Sequence, residues 1–323
     1  MNRILLIGDP HFKVSNKLET DQFTKSTLEY LEENSSDLGF IVVLGDILDT
    51  HEKIHTQPFC RAVQFLTSLS KLIKTYVLIG NHDRINNNVF MTPEHPFTGM
   101  DQNDNLIIVD STIQENDFVF VPYVPNGRFK EALSHIDYDF SKAIAIFAHQ
   151  EFKGCKMGAI ISEDGDIWEE NLPPIFSGHI HDFQQPQKNI LYTGTPFQHS
   201  FSDKNDKANV KLFVDRDSWK IEKICTKVTP KRLFSMKLSE FEGFVPPENC
   251  LIKINFLCQN EDFKKIISSR FFRDKIKKFN IQYKLKVEKS DKIEMISSNF
   301  VENLYSEIDK TGGEIKNLFY EIF

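Results

Sequence analysis

The amino-acid sequence predicts an α/β fold followed by a second, smaller α+β domain. Over the first two-thirds of the 323 residues, short apolar runs alternate with helical segments. Short buried strands separated by helices are typical of parallel β-α-β units. After residue 226 the pattern changes to two strands, a helix and a further strand. A chain of this length can hold one large domain and one small one.

The first three strands are predicted at residues 4–7, 40–44 and 76–79, where apolar runs end in Gly-Asp, Gly-Asp and Gly-Asn. Helices are predicted between them, at residues 20–33 and about 57–72, from the spacing of their apolar residues. Seven further strands are predicted at residues 106–109, 118–121, 143–147, 175–177, 190–193, 210–214 and 219–224. Because the last four follow one another closely, we expect them to form a second, largely antiparallel sheet that packs on the first.

A small capping domain is predicted at residues 228–295, after a large domain at residues 1–227. Its strands are expected at residues 233–238, 251–258 and 281–287, and the last two alternate apolar with polar residues. A helix that begins near Asn260 lies between them and completes a β-β-α-β unit. Residues 296–323 predict a helical segment with one apolar face. This segment either docks on the small domain or binds a partner.

Composition excludes several classes of protein. Five cysteines, none spaced as CxxC, indicate reduced thiols and no disulfide framework or zinc knuckle. No apolar run is long enough to span a bilayer, and MNRILLIGDP predicts a buried strand instead of a signal peptide. We therefore expect an intracellular protein, in the cytoplasm or at the nucleoid, with no membrane partner. Abundant Phe, Ile, Lys and Asn suggest an AT-rich genome, as in a virus or phage.

The net charge of −7 argues against an anionic partner, but its distribution does not. Residues 227–289 contain 15 Lys and Arg against 7 Asp and Glu, while the rest of the chain contains 24 against 39. Such asymmetry indicates either a surface for an anionic partner or a well-solvated lysine-rich face. Both interpretations stay open at this point.

Five short motifs follow predicted strands directly: GDPH, GDILD, GNHD, AH and GHIH. Open α/β sheets place their functional sites at the carboxyl ends of the strands. Folding alone does not explain polar side chains in all five loops, because buried polar groups cost free energy unless they are paired. The candidate metal ligands in these motifs are Asp9, His11, Asp46, Asn81, His149, His179 and His181.

The residue types of this set indicate which cations it would bind. Carboxylate, amide oxygen and imidazole, without thiolate, suit Mn²⁺, Fe or Zn better than a calcium cage or an iron–sulfur cluster. Seven ligands are too many for one ion but suit two ions that share a carboxylate. The sequence therefore predicts a centre of two divalent metal ions.

In this order, the motifs resemble those of the calcineurin-like metallophosphoesterases over residues 4–224. Within that superfamily the chain is most similar to the SbcD-type recombination and repair nucleases, which include the T-even phage recombination endonuclease subunit. The additional similarity lies in HQEFKG after the AH motif, in YTGTPFQHSFSD after GHIH, and in the appended small domain. The resemblance implies a four-layer α-β-β-α sandwich of two mixed sheets with a small α+β capping domain.

The resemblance also implies roles for individual residues. One ion would be held by Asp9, His11, Asp46 and His181, and the other by Asp46, Asn81, His149 and His179, with Asp46 as the bridge and Mn²⁺ as the usual metal. His82 would protonate the departing oxygen while Asp83 orients its ring. Asp49 stands where some relatives have a histidine that meets the substrate, so we assign it no catalytic role. The remaining histidines are interpreted as structural or surface residues: His51, His55, His95, His135 and His199.

The chemistry expected of such a centre is phosphoester hydrolysis. Two cations about 3.5–4 Å apart lower the pKa of a bridging water from about 15.7 toward neutrality. The hydroxide can attack phosphorus in line while the cations neutralise the phosphoryl oxygens. His82 can then protonate the alkoxide leaving group.

For the substrate, the resemblance implies DNA. It implies Mn²⁺-dependent 3′→5′ exonuclease activity on duplexes and endonuclease activity on single strands and hairpins. It also implies a homodimer that acts with an SbcC-type ABC ATPase, which has a coiled coil, in double-strand-break repair or recombination. Basic side chains could contact phosphates without reading sequence. These candidates are Arg84, Lys264, Lys265, Arg270, Arg273, Lys275, Lys277 and Lys278, although Arg84 is more readily interpreted as a solvent-exposed residue just past the site.

Two alternatives remain. A small-molecule or cyclic-nucleotide phosphodiesterase or phosphatase of the same superfamily would keep GNHD but has no evident use for a basic domain. A Ser/Thr protein phosphatase is disfavoured because GDILDT and GNHD stand here in place of GDxxDRG and GNHE. A non-catalytic metal-binding scaffold would usually have lost ligands or His82, and none is lost here.

Overall fold

The computed structural model describes residues 1–51, 53–100 and 104–287. The chain divides into two compact units, Met1–Arg232 and a second unit that begins at Leu233. The helical segment predicted at residues 296–323 lies outside the described residues, and the predicted domain limits stay predictions. No helix in the described part of the chain is long and apolar enough to cross a membrane.

The elements follow one another in the order of the chain. The strands are β1 (Asn2–Ile7), β2 (Phe40–Val43), β3 (Thr75–Leu78), β4 (Leu106–Val109), β5 (Ile113–Glu115), β6 (Phe118–Val121), β7 (Ala145–Ala148), β8 (Lys156–Met157), β9 (Ile160–Ile161), β10 (Ile175–Ser177), β11 (Gln184–Gln187), β12 (Ile190–Tyr192), β13 (Asn209–Val214), β14 (Trp219–Ile224), β15 (Lys231–Lys237), β16 (Leu251–Leu257) and β17 (Gln282–Lys286). The helices are α1 (Lys17–Asn34), α2 (Thr56–Leu72), α3 (Phe129–Leu133), α4 (Asn260–Ile267) and α5 (Arg270–Lys278), with short 3-10 turns at Val14–Asn16, Ser35–Asp37, Phe140–Lys142 and Leu238–Glu240.

The first sheet has the strand order β14-β13-β1-β2-β3-β4. Strands β1 to β4 are parallel, and β13 pairs antiparallel with β1. The parallel strands are apolar on both faces because both are covered. Helices α1 and α2 cover one face, where Phe23, Phe65 and Leu66 are buried. The helices predicted at residues 20–33 and 57–72 are thereby confirmed.

The second sheet has the order β11-β12-β10-β7-β6-β5 and packs on the free face of the first. Its four central strands are parallel, and only the edge strands β5 and β11 pair antiparallel. The prediction of a largely antiparallel second sheet is therefore wrong. The last four predicted strands are divided: β10 and β12 belong to the second sheet, while β13 and β14 extend the first. Both sheets are mixed, as the resemblance implied.

The layer outside the second sheet contains α3 and long loops, which bury Phe129, Phe152 and Trp168. The order of layers is therefore helix, sheet, sheet, helix and loop. The space between the sheets is filled by aromatic and aliphatic side chains such as Phe120 and Phe147, which stack with ring centroids 5.2 Å apart. This packing brings the carboxyl ends of both sets of parallel strands to one side of the first unit.

The second unit is built on the three-stranded sheet β15-β16-β17. Strand β16 alternates half-buried with buried residues, as its sequence predicts. Two helices stand where one was predicted, because the chain bends at Ser269, whose side chain accepts a hydrogen bond from the Phe272 backbone and starts α5. Phe241, Phe256 and Phe272 form the core of this unit.

Candidate metal centre

Both sheets contribute candidate ligands to one site. Asp9, Asp46 and Asn81 follow β1, β2 and β3 of the first sheet, while His149 and His179 follow β7 and β10 of the second. All seven predicted ligands lie in these loops, at the carboxyl ends of parallel strands. The packing of one sheet on the other therefore determines the spacing between the two halves of the site.

One group of ligand atoms is centred on the amide of Asn81. Its Oδ1 lies 3.0 Å from both His149 Nε2 and His179 Nδ1. Asp46 Oδ1 lies 3.3 Å from His149 Nε2. Single ligand atoms of Asp46, His149 and His179 all lie within 4.8 Å of one another, a spacing suited to one metal ion.

A second group lies on the other side of Asp46. His11 Nε2 is 3.2 Å from His181 Nε2 and 3.5 Å from Asp46 Oδ2. The two oxygens of Asp46 thus face different groups of ligands, as a bridging carboxylate must. Asp9 joins the groups: its Oδ1 accepts the backbone N–H of His179 at 2.9 Å, and its Oδ2 is buried without a hydrogen-bond partner among the described residues.

Hydrogen bonds fix which nitrogen of His149 is available. Its Nδ1 lies 2.6 Å from the carbonyl oxygen of Leu44, which can only accept, so Nδ1 carries the hydrogen. When the ring is neutral, its lone pair is therefore on Nε2, the atom that faces Asn81 and Asp46. A backbone partner behind the ring is the usual arrangement for a metal-binding histidine.

The backbone around the ligands is strained. His11, Asp46 and His179 have φ values of 42°, 47° and 78°, in the left-handed region that ordinary residues avoid. Strain of this kind is characteristic of functional sites. Two glycines allow the close approach: a Cβ on Gly80 would lie 2.2 Å from Asp46 Oδ1, and one on Gly178 would lie 2.9 Å from Asp9 Oδ1.

Burial shifts the pKa values of the acidic and histidine side chains in the site when no cation is bound. It raises the pKa of Asp9 to about 6 and lowers the pKa values of His179 and His181 to about 3 and about 4. Burial also opposes the charged form of His149, but the Asp46 and Asp9 carboxylates and the Leu44 carbonyl together outweigh it and raise the pKa of His149 to about 9. Neutral imidazoles, a carboxylate oxygen without a partner and an amide oxygen that faces two nitrogens are ligands that a divalent cation would satisfy. The residues present fit two such ions.

His82 lies beside the candidate ligands. Its backbone N–H donates to Asp46 Oδ1 at 2.9 Å, and its ring Nδ1 donates to the Asp49 carbonyl at 3.0 Å. The Nε2 atom is therefore free to exchange a proton with a substrate. The ring stacks on that of His51, with centroids 4.6 Å apart, and burial lowers the pKa of His82.

The expectation that Asp83 orients the His82 ring is wrong, because the Asp49 carbonyl holds that ring. The Asp83 carboxylate is buried and accepts three backbone N–H groups, from Ile47, Leu48 and Gly80, at 3.1, 2.9 and 3.1 Å. It therefore ties the loop of Asp46 to the loop of Asn81. Asp49 itself points elsewhere: its carboxylate lies 3.3 Å from His11 Nδ1 and 3.0 Å from Lys13 Nζ.

The residues predicted to contact DNA differ in their exposure. Arg84 is 1% exposed, so both its predicted solvent exposure and its predicted contact with a phosphate are wrong. Its guanidinium donates to the carbonyls of Val89 and Tyr123, which keep it inside the first unit. Lys275 is half-buried and donates to the carbonyls of Phe241 and Glu242. The other six are exposed in the second unit: Lys264, Lys265, Arg270, Arg273, Lys277 and Lys278.

Two histidines outside the motifs prove to belong to the site. His51 stacks on His82, and His199 lies with its ring centroid 5.0 Å from His11 and 5.4 Å from His181. Spacing along the chain gives no indication of either contact. The remaining histidines have structural or surface positions: His55 caps α2, His95 pairs with Asp110 and His135 is exposed.

A cavity of about 660 Å³ opens beside the centre. Its lining includes His179 and His181 together with Lys156 and Met157 of the β8–β9 hairpin. A substrate can therefore approach the ligands from this side.

Comparison with known proteins agrees with this geometry. The family model described as calcineurin-like phosphoesterase matches residues 2–183. The chain is 43% identical over 273 residues to "Putative phosphoesterase 244L" of Invertebrate iridescent virus 6, which covers 81% of this chain and 96% of the relative. It is 42% identical over 231 residues to "Putative phosphoesterase 078R" of Invertebrate iridescent virus 3, which covers 70% of this chain and 66% of the relative.

Two solved structures share similarity with the chain. One is purple acid phosphatase PPD1 from seeds of yellow lupin, Lupinus luteus, with 13% identity and a TM-score of 0.42 over 69% of this chain and 51% of that one. The other is the Pseudomonas putida nuclease MPE, with 14% identity and a TM-score of 0.30 over 65% of this chain and 84% of that one.

Proposed function

From the premise that this chain belongs to the calcineurin-like phosphoesterase family and is a metal-dependent phosphoester hydrolase, we propose that its substrate is DNA. The activity would be that of an SbcD-like nuclease: 3′→5′ exonuclease on duplexes and endonuclease on single strands and hairpins. The observation that carries the hydrolytic part is the arrangement of two ligand groups around the two oxygens of Asp46.

The first ion would be held by Asp9, His11, Asp46 and His181, and the second by Asp46, Asn81, His149 and His179. Bound divalent ions, with Mn²⁺ the proposed metal, supply a nucleophile from water at neutral pH and neutralise charge on the phosphoryl group. The protein holds the ligands rigid through the His149–Leu44 and Asp83 hydrogen bonds. Rigid ligands avoid reorganisation during the reaction.

His82 would deliver a proton to the leaving oxygen. Its Nδ1–H is committed to the Asp49 carbonyl, so Nε2 is the atom that can pick up a proton and pass it on. An alkoxide leaving group, such as the deoxyribose oxygen of DNA, needs that proton. A p-nitrophenolate leaving group does not, because it is a weak base.

Charge in the second unit supports DNA as the substrate. Six basic side chains of α4 and α5 are exposed, and among these six only Lys265 and Arg270 have an acidic partner in their own helix. Exposed lysines and arginines of this kind bind phosphates without sequence preference. The viral relatives fit a virus-encoded enzyme that acts inside a host cell.

The proposed complex consists of a homodimer and an SbcC-type ABC ATPase with a coiled coil. This part rests on the resemblance of HQEFKG and YTGTPFQHSFSD to the SbcD-type nucleases. Analytical ultracentrifugation of the chain alone and with such an ATPase tests it, and a monomer that does not associate with the ATPase would contradict it.

A second candidate is a small-molecule phosphodiesterase. The cavity of about 660 Å³ beside His179 and His181 favours it, because pockets of about 300–1,000 Å³ commonly hold small ligands. The DNA assay separates the two candidates.

The test compares three substrates with Mn²⁺ present: a labelled duplex, a DNA hairpin and bis-p-nitrophenyl phosphate. We expect the protein to cleave all three, and His82→Ala to lose about 10²- to 10⁴-fold on DNA but less on the aryl ester. His135→Ala, an exposed histidine away from the centre, is the matched control. Cleavage of the ester with no cleavage of DNA, with or without an SbcC-type ATPase, would refute the nuclease. Equal losses of His82→Ala on both substrates would refute the acid role.

A further inference from the structure

We propose that His199 is a positioning residue of the metal centre, which supports the ion held by Asp9, His11 and His181 and leaves the other ion unaffected. The inference rests on the two-ion centre proposed above. His199 lies outside the five motifs that follow the strands, within the segment YTGTPFQHSFSD, and it reaches the site from the loop after β12.

The first contact is a hydrogen bond to the backbone of a ligand. His199 Nε2 lies 2.9 Å from the carbonyl oxygen of Asp9, so Nε2 carries the hydrogen and donates it. This is a contact across 190 positions of the chain. Without this bond, the Asp9 carbonyl would lose its side-chain donor. The next residue, Pro10, has no N–H that could anchor the chain at this point.

That carbonyl stands at the start of the strained turn of the centre. His11 has a φ of 42°, which its neighbours must hold in place. The His11 N–H donates to the Asp46 carbonyl at 3.0 Å, and the His11 carbonyl accepts from Asn16 Nδ2 at 2.8 Å. The Phe12 N–H donates to the Ile47 carbonyl at 2.7 Å, and the bond from His199 adds an anchor at the Asp9 carbonyl, on the N-terminal side of His11.

The His199 ring also packs against the two imidazoles of the same ligand group. It meets the rings of His11 and His181 edge to face, at interplanar angles of 80° and 64°. Those two rings present their Nε2 atoms to each other at 3.2 Å. A ring packed against both of them restricts the rotations that would separate these atoms.

His199 is itself held firmly. Its backbone N–H donates to Asp203 at 2.8 Å, and its carbonyl accepts from Lys231 Nζ at 3.1 Å. Lys231 in turn pairs with Glu19 at 2.8 Å, and both side chains are buried. A positioning residue acts only when its own support is rigid.

The contacts of His199 are confined to one side of the centre. Among the described residues, its side-chain hydrogen bond and ring contacts involve Asp9, His11, His181 and the core residue Phe197. None reaches Asn81, His149 or His179. Removal of the His199 side chain should therefore weaken the binding of one ion and leave the affinity for the other unchanged.

The experiment titrates Mn²⁺ into the metal-free 323-residue chain by calorimetry and follows the spin coupling of the ion pair by electron paramagnetic resonance. His199→Phe keeps a ring but removes the donor, and we expect one of the two sites to weaken by about 10- to 100-fold, the usual effect of a support behind a ligand. The other site should keep its affinity. His199→Gln places an amide N–H where Nε2 lies, and we expect it to restore most of the loss.

His95→Phe is the matched control, since His95 is a hydrogen-bonded histidine whose side chain is 1% exposed and lies outside the centre. It should leave both Mn²⁺ affinities unchanged. The proposal would be overturned if a folded His199→Phe variant bound Mn²⁺ with wild-type affinity at both sites, or if both sites weakened equally. It would also be overturned if a folded His199→Gln variant bound Mn²⁺ as weakly as His199→Phe. A wild-type protein that binds Mn²⁺ at two sites but cleaves no DNA would overturn the nuclease and leave this proposal standing.

Discussion

Gly80→Ala tests whether the centre depends on the close approach of its loops. A Cβ at position 80 would lie 2.2 Å from both Asp46 N and Asp46 Oδ1, and 3.0 Å from Asp46 Cα. Ordinary contact begins at 3.4 Å, so the Asp46 carboxylate and its backbone must move by about 1 Å. Misplacement by about 1 Å can reduce catalysis by about 10²-fold, and overpacking a buried site costs about 1–3 kcal/mol of stability.

Gly39→Ala is the matched control in the same unit. A Cβ there would meet only the Arg3 carbonyl, at 3.5 Å, and the backbone is not in the left-handed region. The assay is turnover of bis-p-nitrophenyl phosphate with saturating Mn²⁺, alongside urea unfolding of the metal-free proteins. We expect Gly80→Ala to lose about 10²-fold in kcat and Gly39→Ala to match the wild type. If Gly80→Ala turned over at the wild-type rate, the idea that Gly80 exists to admit Asp46 would be refuted.

Two further predictions concern protons and DNA. Because His149 has a pKa of about 9 in the metal-free protein, it is charged below that pH and must lose a proton to bind Mn²⁺. Mn²⁺ affinity should therefore rise by about tenfold per pH unit from about pH 7 and level off above about pH 9. Calorimetry in buffers of different ionisation enthalpy measures the proton released on binding. If no proton were released, the charged state of His149 in the metal-free protein would be contradicted. Lys277→Ala with Lys278→Ala should lower the salt dependence of DNA binding by about one phosphate contact each, without change on the aryl ester. An unchanged salt dependence would exclude α5 from the DNA surface.

Apolar pattern predicted the parallel strands and the two long helices but not the edges of the sheets. Strands β1 to β3 and β6 are continuous apolar runs because both of their faces are covered. Strand β11 has the sequence QQPQ, lies at an edge and shows no apolar pattern, so it was missed. Without β11, the link between the parallel strands β10 and β12 resembles a simple antiparallel succession.

The sequence could predict that the candidate ligands meet, because each follows a strand in a short motif, but it could not predict the residues that support them. His199 meets Asp9 across 190 positions, and only the packed fold brings them together. Asp83 follows His82 directly, but its carboxylate faces the backbone of the Asp46 loop while the His82 ring faces the Asp49 carbonyl. Arg84 has the polarity of a surface residue, yet backbone carbonyls from Val89 and Tyr123 satisfy it inside the unit. Sequence spacing carries no information about such partners.

The charge of the centre explains how an acidic chain can act on an anionic substrate. The chain has a net charge of −7, but its ligand set contains only two carboxylates, Asp9 and Asp46, with an amide and neutral imidazoles as the rest. Two divalent ions held by these residues would leave an excess of positive charge, and low-dielectric walls would strengthen its field. The centre would then attract a phosphoester whatever the overall charge of the chain. The positive charge of the second unit then affects which phosphoester binds. A long polyanion needs contacts beyond the centre, whereas a small ester does not.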